Sequence, residues 1–421
     1  SDIDSRNNKE CKGACKAGYY GGGGTSSTTA NCEGACPKGT YSLVGASTCS
    51  PCGIGKYSNI IGANQESTCL PCPKNTFSSA TGLSDIDQCS PCPIGKYSIE
   101  WDTFKKITNN YEYIHTSMPN SKYSVSKIKP LSRAFYKLVE ICNTFNLLEK
   151  YNDKNIITFH LAEGPGGFIE ATNFIRKNED DKYFAITLID EDNENVPGWK
   201  KSGLFFRKNK HINIERGIEG KGDLYNPENY KHYKRAFKNK VDFITADGGF
   251  DFSIDFNKQE LLSYKLIYCE IYIALNIQKD NGDFVIKIFD IFYHKTIQLL
   301  YLLYLSYEEV FIYKPTVSRI SNSEKYIVCK GFKGFNKEII DILTKFYNNV
   351  DNLHIELPNK FIDIIKEYNN IFVQNQINYI NEILKFDYKN INERIKNQIK
   401  NSKEWCKKYN IPINKDFHLF T

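Results

Sequence analysis

The chain has 421 residues, 41% of them hydrophobic and 25% charged, with a formal net charge of +6. That length suits two or three domains, and that composition buries a core and excludes a wholly disordered chain. No run approaches the roughly 18 apolar residues that a membrane helix needs. The first residue is Ser and no secretory-signal pattern precedes it, as expected of a processed chain or a fragment.

The charge and the cysteines are unevenly spread. Residues 1–100 hold 10 of the 14 Cys and 14 of the 27 Gly, with 8 basic and 8 acidic side chains. Residues 101–421 carry 47 basic and 41 acidic residues, hence the whole +6. The expected division is a cysteine-rich repeat region over 1–99, an α/β domain over 100–349 and a helical extension over 350–421.

The first region repeats itself. Cys49-x2-Cys52, Cys69-x2-Cys72 and Cys89-x2-Cys92 recur with a period of 20. Each pair is followed by a turn and one aromatic, as in Gly55-Lys56-Tyr57-Ser58 and Asn75-Thr76-Phe77-Ser78. Units this small cannot stabilise themselves by burial and need cross-links. Disulfides joining Cys36 to Cys49, Cys52 to Cys69 and Cys72 to Cys89 fit, although spacing alone does not fix the pairing. A four-cysteine zinc site also fits such pairs. The turn-rich punctuation favours disulfides. Residues 32–98 resemble the ephrin-receptor-like cysteine-rich repeats, which implies an extracellular ladder. Cys11-x3-Cys15 and Gly21 to Gly24 read as a degenerate repeat and a flexible joint.

From residue 101 the pattern changes. Ile156 to Ala162 reads as a buried strand, Glu163-Gly164-Pro165-Gly166-Gly167 as a glycine turn, and Phe168 to Lys177 as a helix. Strand, glycine turn and helix make the nucleotide-binding corner of a doubly wound α/β sheet. Both GxGxxG and GxxxxGK[ST] are absent. An acid ahead of the glycines discourages a phosphate and suits a cationic ligand. Further strands are expected at 183–189, 212–216, 241–246, 283–288, 309–313 and 326–330. Helices are expected at 130–149, 227–239, 258–278, 293–304 and 336–349. Only about a dozen residues, 314–325, join the last two strands. They predict an antiparallel hairpin at the sheet edge.

Five motifs then occur in order: Ser132-Arg133-Ala134-Phe135-Tyr136-Lys137-Leu138, Ala162-Glu163-Gly164-Pro165-Gly166-Gly167-Phe168, Ala246-Asp247-Gly248-Gly249, Gly282-Asp283-Phe284-Val285-Ile286-Lys287 and Lys314-Pro315-x3-Arg319-x-Ser321-x2-Glu324-x-Tyr326. Residues 110–332 resemble the FtsJ-type RNA ribose 2′-O-methyltransferases, closer to their cap-specific group than to the compact ribosomal-RNA group. The resemblance implies a Rossmann-like methyltransferase sheet, parallel with an antiparallel edge hairpin and flanked by helices. It implies S-adenosylmethionine as methyl donor and RNA, capped mRNA first, as acceptor.

By motif, the family's Lys-Asp-Lys-Glu tetrad falls on Lys137, Asp247, Lys287 and Glu324. Its S-adenosylmethionine site falls on Glu163, Gly164, Pro165, Gly166, Gly167 and Phe168, with Asp223 at the adenine amine and Asp247 beside the methyl donor. One position departs: where many members end the second strand in an acid, this chain has Thr187-Leu188, with Asp190 following. In such a tetrad a lysine ammonium stabilises alkoxide character on a ribose hydroxyl. Lys287 is the expected choice, and it can also act as base if burial and a neighbouring lysine lower its pKa. Lys137 and Asp247 would orient it, and Glu324 would position Lys137. The methyl transfer needs no metal.

Other residues read more plainly. His160 is expected as a satisfied core histidine, and Cys142, Cys269, Cys329 and Cys406 as reduced core thiols. Lys200, Lys201, Arg207, Lys208 and Lys210, and Lys231, Lys234, Arg235, Lys238 and Lys240, are basic runs that either grip RNA or form solvated faces. In the extension, Ile399 and Trp405 are among the residues expected to dock on the sheet. Three functions stay open: a cap 2′-O-methyltransferase, a ribosomal- or transfer-RNA enzyme of the same class, and a surface interaction protein with a passive methyltransferase fold. A disulfide ladder wants oxidising surroundings, whereas RNA methylation wants cytosol, nucleus or virus factory.

Overall fold

The computed structural model describes residues 14–21, 32–53, 55–73, 76–78, 80–91, 105–119, 121–193, 196–249, 258–384 and 391–414. Cys11, Cys92, the glycines at 22–24 and the last aromatic unit at 93–98 lie outside them. The chain divides into two units, Ser1–Phe104 and Lys105–Thr421. Among the described residues no helix is long and apolar enough to cross a membrane.

The first unit is built from two-residue antiparallel hairpins. Thr40–Tyr41 pairs with Ser50–Pro51, Lys56–Tyr57 with Leu70–Pro71 and Thr76–Phe77 with Ser90–Pro91. The sulfurs are bonded in pairs: Cys36–Cys49, Cys52–Cys69 and Cys72–Cys89, plus a Cys15–Cys32 bond that the spacing does not suggest. Zinc is therefore not the cross-link among these eight cysteines. Successive repeats stack through backbone bonds rather than side-chain burial. Gly39 donates to the Ser58 carbonyl at 2.7 Å while its own carbonyl accepts from Cys52 at 2.8 Å. Gly55 repeats the pattern with Ser78 and Cys72.

The second unit holds a seven-stranded sheet. Its strands are β1 (Ile157–Leu161), β2 (Lys182–Ile186), β3 (Ile212–Glu215), β4 (Val241–Ala246), β5 (Gln278–Ile288), β6 (Tyr307–Tyr313) and β7 (Lys325–Phe332). The order is β3-β2-β1-β4-β5-β7-β6, and the first five are parallel. β7 runs antiparallel to both β5 and β6, which is the edge hairpin expected from the short 314–325 connection. The order reverses between β1 and β4, and ligands bind at the carboxyl ends of strands at such a point.

The helices are α1 (Ala134–Phe145), α2 (Gly167–Arg176), α3 (Gly203–Lys208), α4 (Pro227–Phe237), α5 (Gln259–Ile277), α6 (His294–Ser306), α7 (Lys337–Phe346), α8 (Asn359–Leu384) and α9 (Ile391–Lys408). α1 is shorter than the 130–149 pattern because Asn146 turns left-handed, with φ +52°, and stops it. α4 starts where Asn226 caps Glu228 and Pro227 takes the first turn.

Alternation along the strands divides the core into two layers. Ile244, Phe284, Ile286 and Ile327 face α5, α6 and α7. Phe243, Val285, Val328 and Tyr326 face α1 and α9. Ile399 and Trp405 are buried in the second layer, where Trp405 meets Tyr136 of α1 edge-on at 5.8 Å. His160 is buried between Thr158 and Thr245, and all four thiols of this unit are buried, as the sequence suggests.

Candidate active site

Three parallel strands bring their carboxyl ends to one place. Leu161 of β1 is paired with Ala246 of β4, which is paired with Ile286 of β5. Ala162, Asp247 and Lys287 therefore emerge side by side. β7 comes the other way, with Tyr326 opposite Lys287, so Glu324 enters the same corner. Lys137 reaches in from α1. Four residues spread over 188 positions of sequence meet because the sheet register leaves them nowhere else.

The contacts are close. Lys137 Nζ lies 2.6 Å from Glu324 Oε1, and Lys287 Nζ lies 3.4 Å from Asp247 Oδ1 and donates to the Asp247 carbonyl at 2.8 Å. The Tyr326 hydroxyl links the two pairs, donating to Asp247 Oδ1 at 3.0 Å and reaching Glu324 Oε1 at 3.2 Å. The Ser318 hydroxyl adds a bond to Glu324 at 3.2 Å. Two ammoniums and two carboxylates compensate one another, which makes a mostly buried cluster tolerable.

The cluster forms the floor of a cleft of about 800 Å³. Ser132, Arg133, Thr187, Leu188, Pro197 and Gly222 to Tyr225 also line it. Asp223 faces it, and of the glycine turn Gly164 and Pro165 do. β2 stops at Ile186, short of the expected 189, which frees Thr187 and Leu188 to form the wall. Two glycines let the segments that line the cleft pack closely against one another. A Cβ at Gly164 would sit 2.7 Å from the Gly198 carbonyl, and one at Gly222, with φ +66°, would sit 2.1 Å from the Thr187 carbonyl.

The rest of the turn works from behind. Phe168 is fully buried and its ring lies 5.8 Å from that of Tyr326. Glu163 is buried, and its Oε1 accepts from the amides of Phe168 and Ile169 at 2.7 and 3.1 Å, where α2 begins. Asp190 turns its carboxylate to the Asp192 amide.

Charges in the corner are shifted. Burial pushes the Glu163 carboxyl well up, reinforced by Asp247. Burial pushes Glu270 of α5 well up too, beside the Gly248 amide. Burial would raise Glu324, but Lys137 and Lys287 outweigh it and hold Glu324 at about 2. Lys287 departs from the expectation of a lowered pKa. Burial lowers it, yet Asp247, Glu324 and Glu270 together hold it above the ordinary lysine value. Its nearest charges are carboxylates rather than another lysine.

Sequence reasoning missed Tyr326 as a site residue. The signal was present, because Glu324 and Tyr326 are two apart and a strand puts such residues on one face. Arg133, in the first motif, and Thr187 and Leu188, at the departing position, are marked in the sequence, and all three line the cleft. Of the basic runs, Lys231 pairs with Glu228, Lys234 and Lys238 lie over Phe335, and Lys200 donates to the carbonyl of Asn193, which lines the cleft.

Residues 130–332 match the FtsJ-like methyltransferase family. The chain carries an FtsJ-like methyltransferase domain. Residues 39–89 match the tyrosine-protein kinase ephrin type A/B receptor-like family. Curated relatives carry the name cap-specific mRNA (nucleoside-2′-O-)-methyltransferase 1. The Mus musculus protein is 31% identical over 247 residues, the Xenopus laevis protein 32% over 254 and the Homo sapiens protein 36% over 190. These matches cover 55%, 56% and 44% of this chain and 29%, 29% and 22% of the relatives, so the chain spans under a third of their length. The FtsJ-like domain contains Lys137, Asp247, Lys287 and Glu324 and all the residues that line the cleft.

Proposed function

We propose that this chain is an S-adenosylmethionine-dependent RNA 2′-O-ribose methyltransferase acting on the mRNA cap. The observation that carries the reading is the pair of lysine–carboxylate contacts, Lys137–Glu324 and Lys287–Asp247, joined through Tyr326 at the floor of one cleft. The names of the curated relatives favour the cap over other RNA.

The cofactor fits the cleft on chemical grounds. Gly164 brings bare backbone to the cleft lining, and Asp223 offers a carboxylate to an amine. Gly164, Pro165, Asp223 and Asp247 would hold it. When bound, S-adenosylmethionine supplies a methyl group already activated on a sulfonium. The chain's own residues then have to orient a ribose hydroxyl and stabilise charge on its oxygen. Lys287, kept cationic by its carboxylates, donates to that oxygen, and the hydroxyl proton leaves to solvent through the cleft. Asp247 fixes Lys287 through the 2.8 Å bond to its carbonyl. Glu324 holds Lys137, and Tyr326 keeps the two carboxylates at a set separation.

The test is methyl transfer. The purified chain receives S-adenosylmethionine with a labelled methyl and capped, uncapped or ribosomal RNA, with Lys287→Ala as control. Label on the ribose of capped RNA, lost in the variant, is expected. Label on uncapped or ribosomal RNA would replace the cap by those substrates. A chain that binds the cofactor and labels no RNA would remove catalysis from this chain acting alone.

A further inference from the structure

Two lysines flank the connection that presents Glu324. Lys314 follows β6 and Lys325 opens β7, and neither ammonium points freely into solvent. Lys314 Nζ donates to the Asn322 carbonyl at 2.7 Å, to Asn322 Oδ1 at 2.6 Å and to the Glu324 carbonyl at 2.8 Å. Lys325 Nζ donates to the Ser323 carbonyl at 2.9 Å and the Phe289 carbonyl at 3.0 Å, and pairs with Asp290 at 3.3 Å. Three successive carbonyls, of 322, 323 and 324, are thus held by lysines. Phe289 is two residues beyond Lys287, so Lys325 also ties the Glu324 turn to the strand that carries Lys287.

The helical extension closes over this arrangement. The Phe372 ring of α8 lies 4.0 Å from Lys325 Nζ and 5.4 Å from Lys314 Nζ. Four residues on, Gln376 donates to the Ser321 carbonyl at 3.0 Å, and Asn369 donates to the Ile291 carbonyl at 2.7 Å. One face of α8 therefore touches both the segment after Lys287 and the segment before Glu324. Burying an ammonium such as Lys325, which is 1% exposed, is costly, and an apolar side chain would fill the space at less cost. Lysines buy here what an apolar residue cannot, several directed bonds to one turn.

We propose that Lys314, Lys325 and Phe372 form a clamp that fixes Glu324 against Lys137 and Lys287, which makes α8 a positioning element of the reaction. The inference rests on the reading of the cleft given above. None of the three is a catalytic residue; each acts through the backbone of the Glu324 turn.

The full chain is compared with Lys314→Gln, Lys314→Arg and Phe372→Leu by methyl transfer and by hydrogen exchange over residues 318–326. Lys314→Gln and Phe372→Leu are expected to lower kcat about tenfold, with KM for S-adenosylmethionine within about twofold, because a small misplacement costs rate more than binding. Both are expected to speed exchange in that segment, and Lys314→Arg to restore most of kcat. Phe372→Leu keeps an apolar residue on α8 and decides the matter if Lys314→Gln does not fold. Unchanged exchange, or a loss expressed in KM alone, overturns the clamp. If the unaltered chain binds cofactor and methylates nothing, the reading of the cleft fails, and the exchange comparison still decides the clamp.

Discussion

The indole N–H of Trp405 donates to Glu140 Oε2 at 2.9 Å, and both residues are buried. Glu140 lies one helical turn after Lys137. It also accepts from the Tyr313 hydroxyl at 2.8 Å, the Thr316 amide at 2.6 Å and hydroxyl at 2.9 Å, and the Val317 amide at 3.3 Å. One carboxylate joins α1, β6, the connection to Glu324, and α9. Glu140→Gln is expected to destabilise the second unit by about 1–3 kcal/mol, because several buried donors lose a charged acceptor. A lower urea midpoint at unchanged slope would register it; a midpoint equal to that of the unaltered chain would contradict it.

Glu324 gives a pH signature. Its value of about 2 lies below the ordinary 4.5, so its contribution to stability is complete above 4.5 and is lost as pH falls toward 2. The melting-temperature gap between the chain and Glu324→Gln should stay constant from about pH 8 to 5 and close in stronger acid. A gap that changes around neutrality would mean that another group titrates in its place.

Glu163 should behave oppositely. Burial holds its carboxyl above 4.5, so the ionised form is penalised and its contribution falls as pH rises above that value. Glu163→Gln keeps an acceptor for the Phe168 amide and cannot ionise. The variant should gain on the unaltered chain in melting temperature as pH rises, with the smallest difference in acid. A constant difference across pH would show that Glu163 is ionised throughout.

The first unit should depend on its bridges. Its repeats bury few apolar side chains, and losing a native disulfide from so small a unit costs about 2–5 kcal/mol. Reduction should therefore open residues 32–91 to protease while the second unit resists. Its four thiols, at 142, 269, 329 and 406, are buried with burial raising each, and should react with a thiol reagent only after unfolding. Cleavage that begins in the second unit would refute this.

Lys287 should prove hard to replace. As a cation held by two or three carboxylates, it gives alkoxide stabilisation that a neutral side chain cannot. Lys287→Met is expected to cut methyl transfer by about 10²–10³-fold with cofactor affinity retained, the scale of losing one preorganised donor to a developing oxyanion. Equal losses in cofactor binding would assign Lys287 to the cofactor instead.

Much of this architecture is legible in the sequence, since it follows from period and punctuation. Alternating and continuous apolar runs mark β1 to β7, although β5 begins five residues before the expected 283, and the left-handed Asn146 ends α1 inside the expected 130–149. The twenty-residue cysteine period marks the ladder, and the ordered motifs mark Lys137, Asp247, Lys287 and Glu324. These signals are local, or depend on residue type at short spacing, so a linear chain carries them openly. Direction of charge shift is not local. Whether Lys287 sits beside a lysine or beside Asp247, Glu324 and Glu270 depends on which strands adjoin and in what register. The sheet order β1-β4-β5-β7 decides that. The same holds for Tyr326 between two carboxylates, for Glu140 collecting donors from three other elements, and for Phe372 over Lys314 and Lys325. Each is a contact between residues far apart in sequence, and only burial in a common core brings their charges close enough, in a medium poor enough in water, to alter one another.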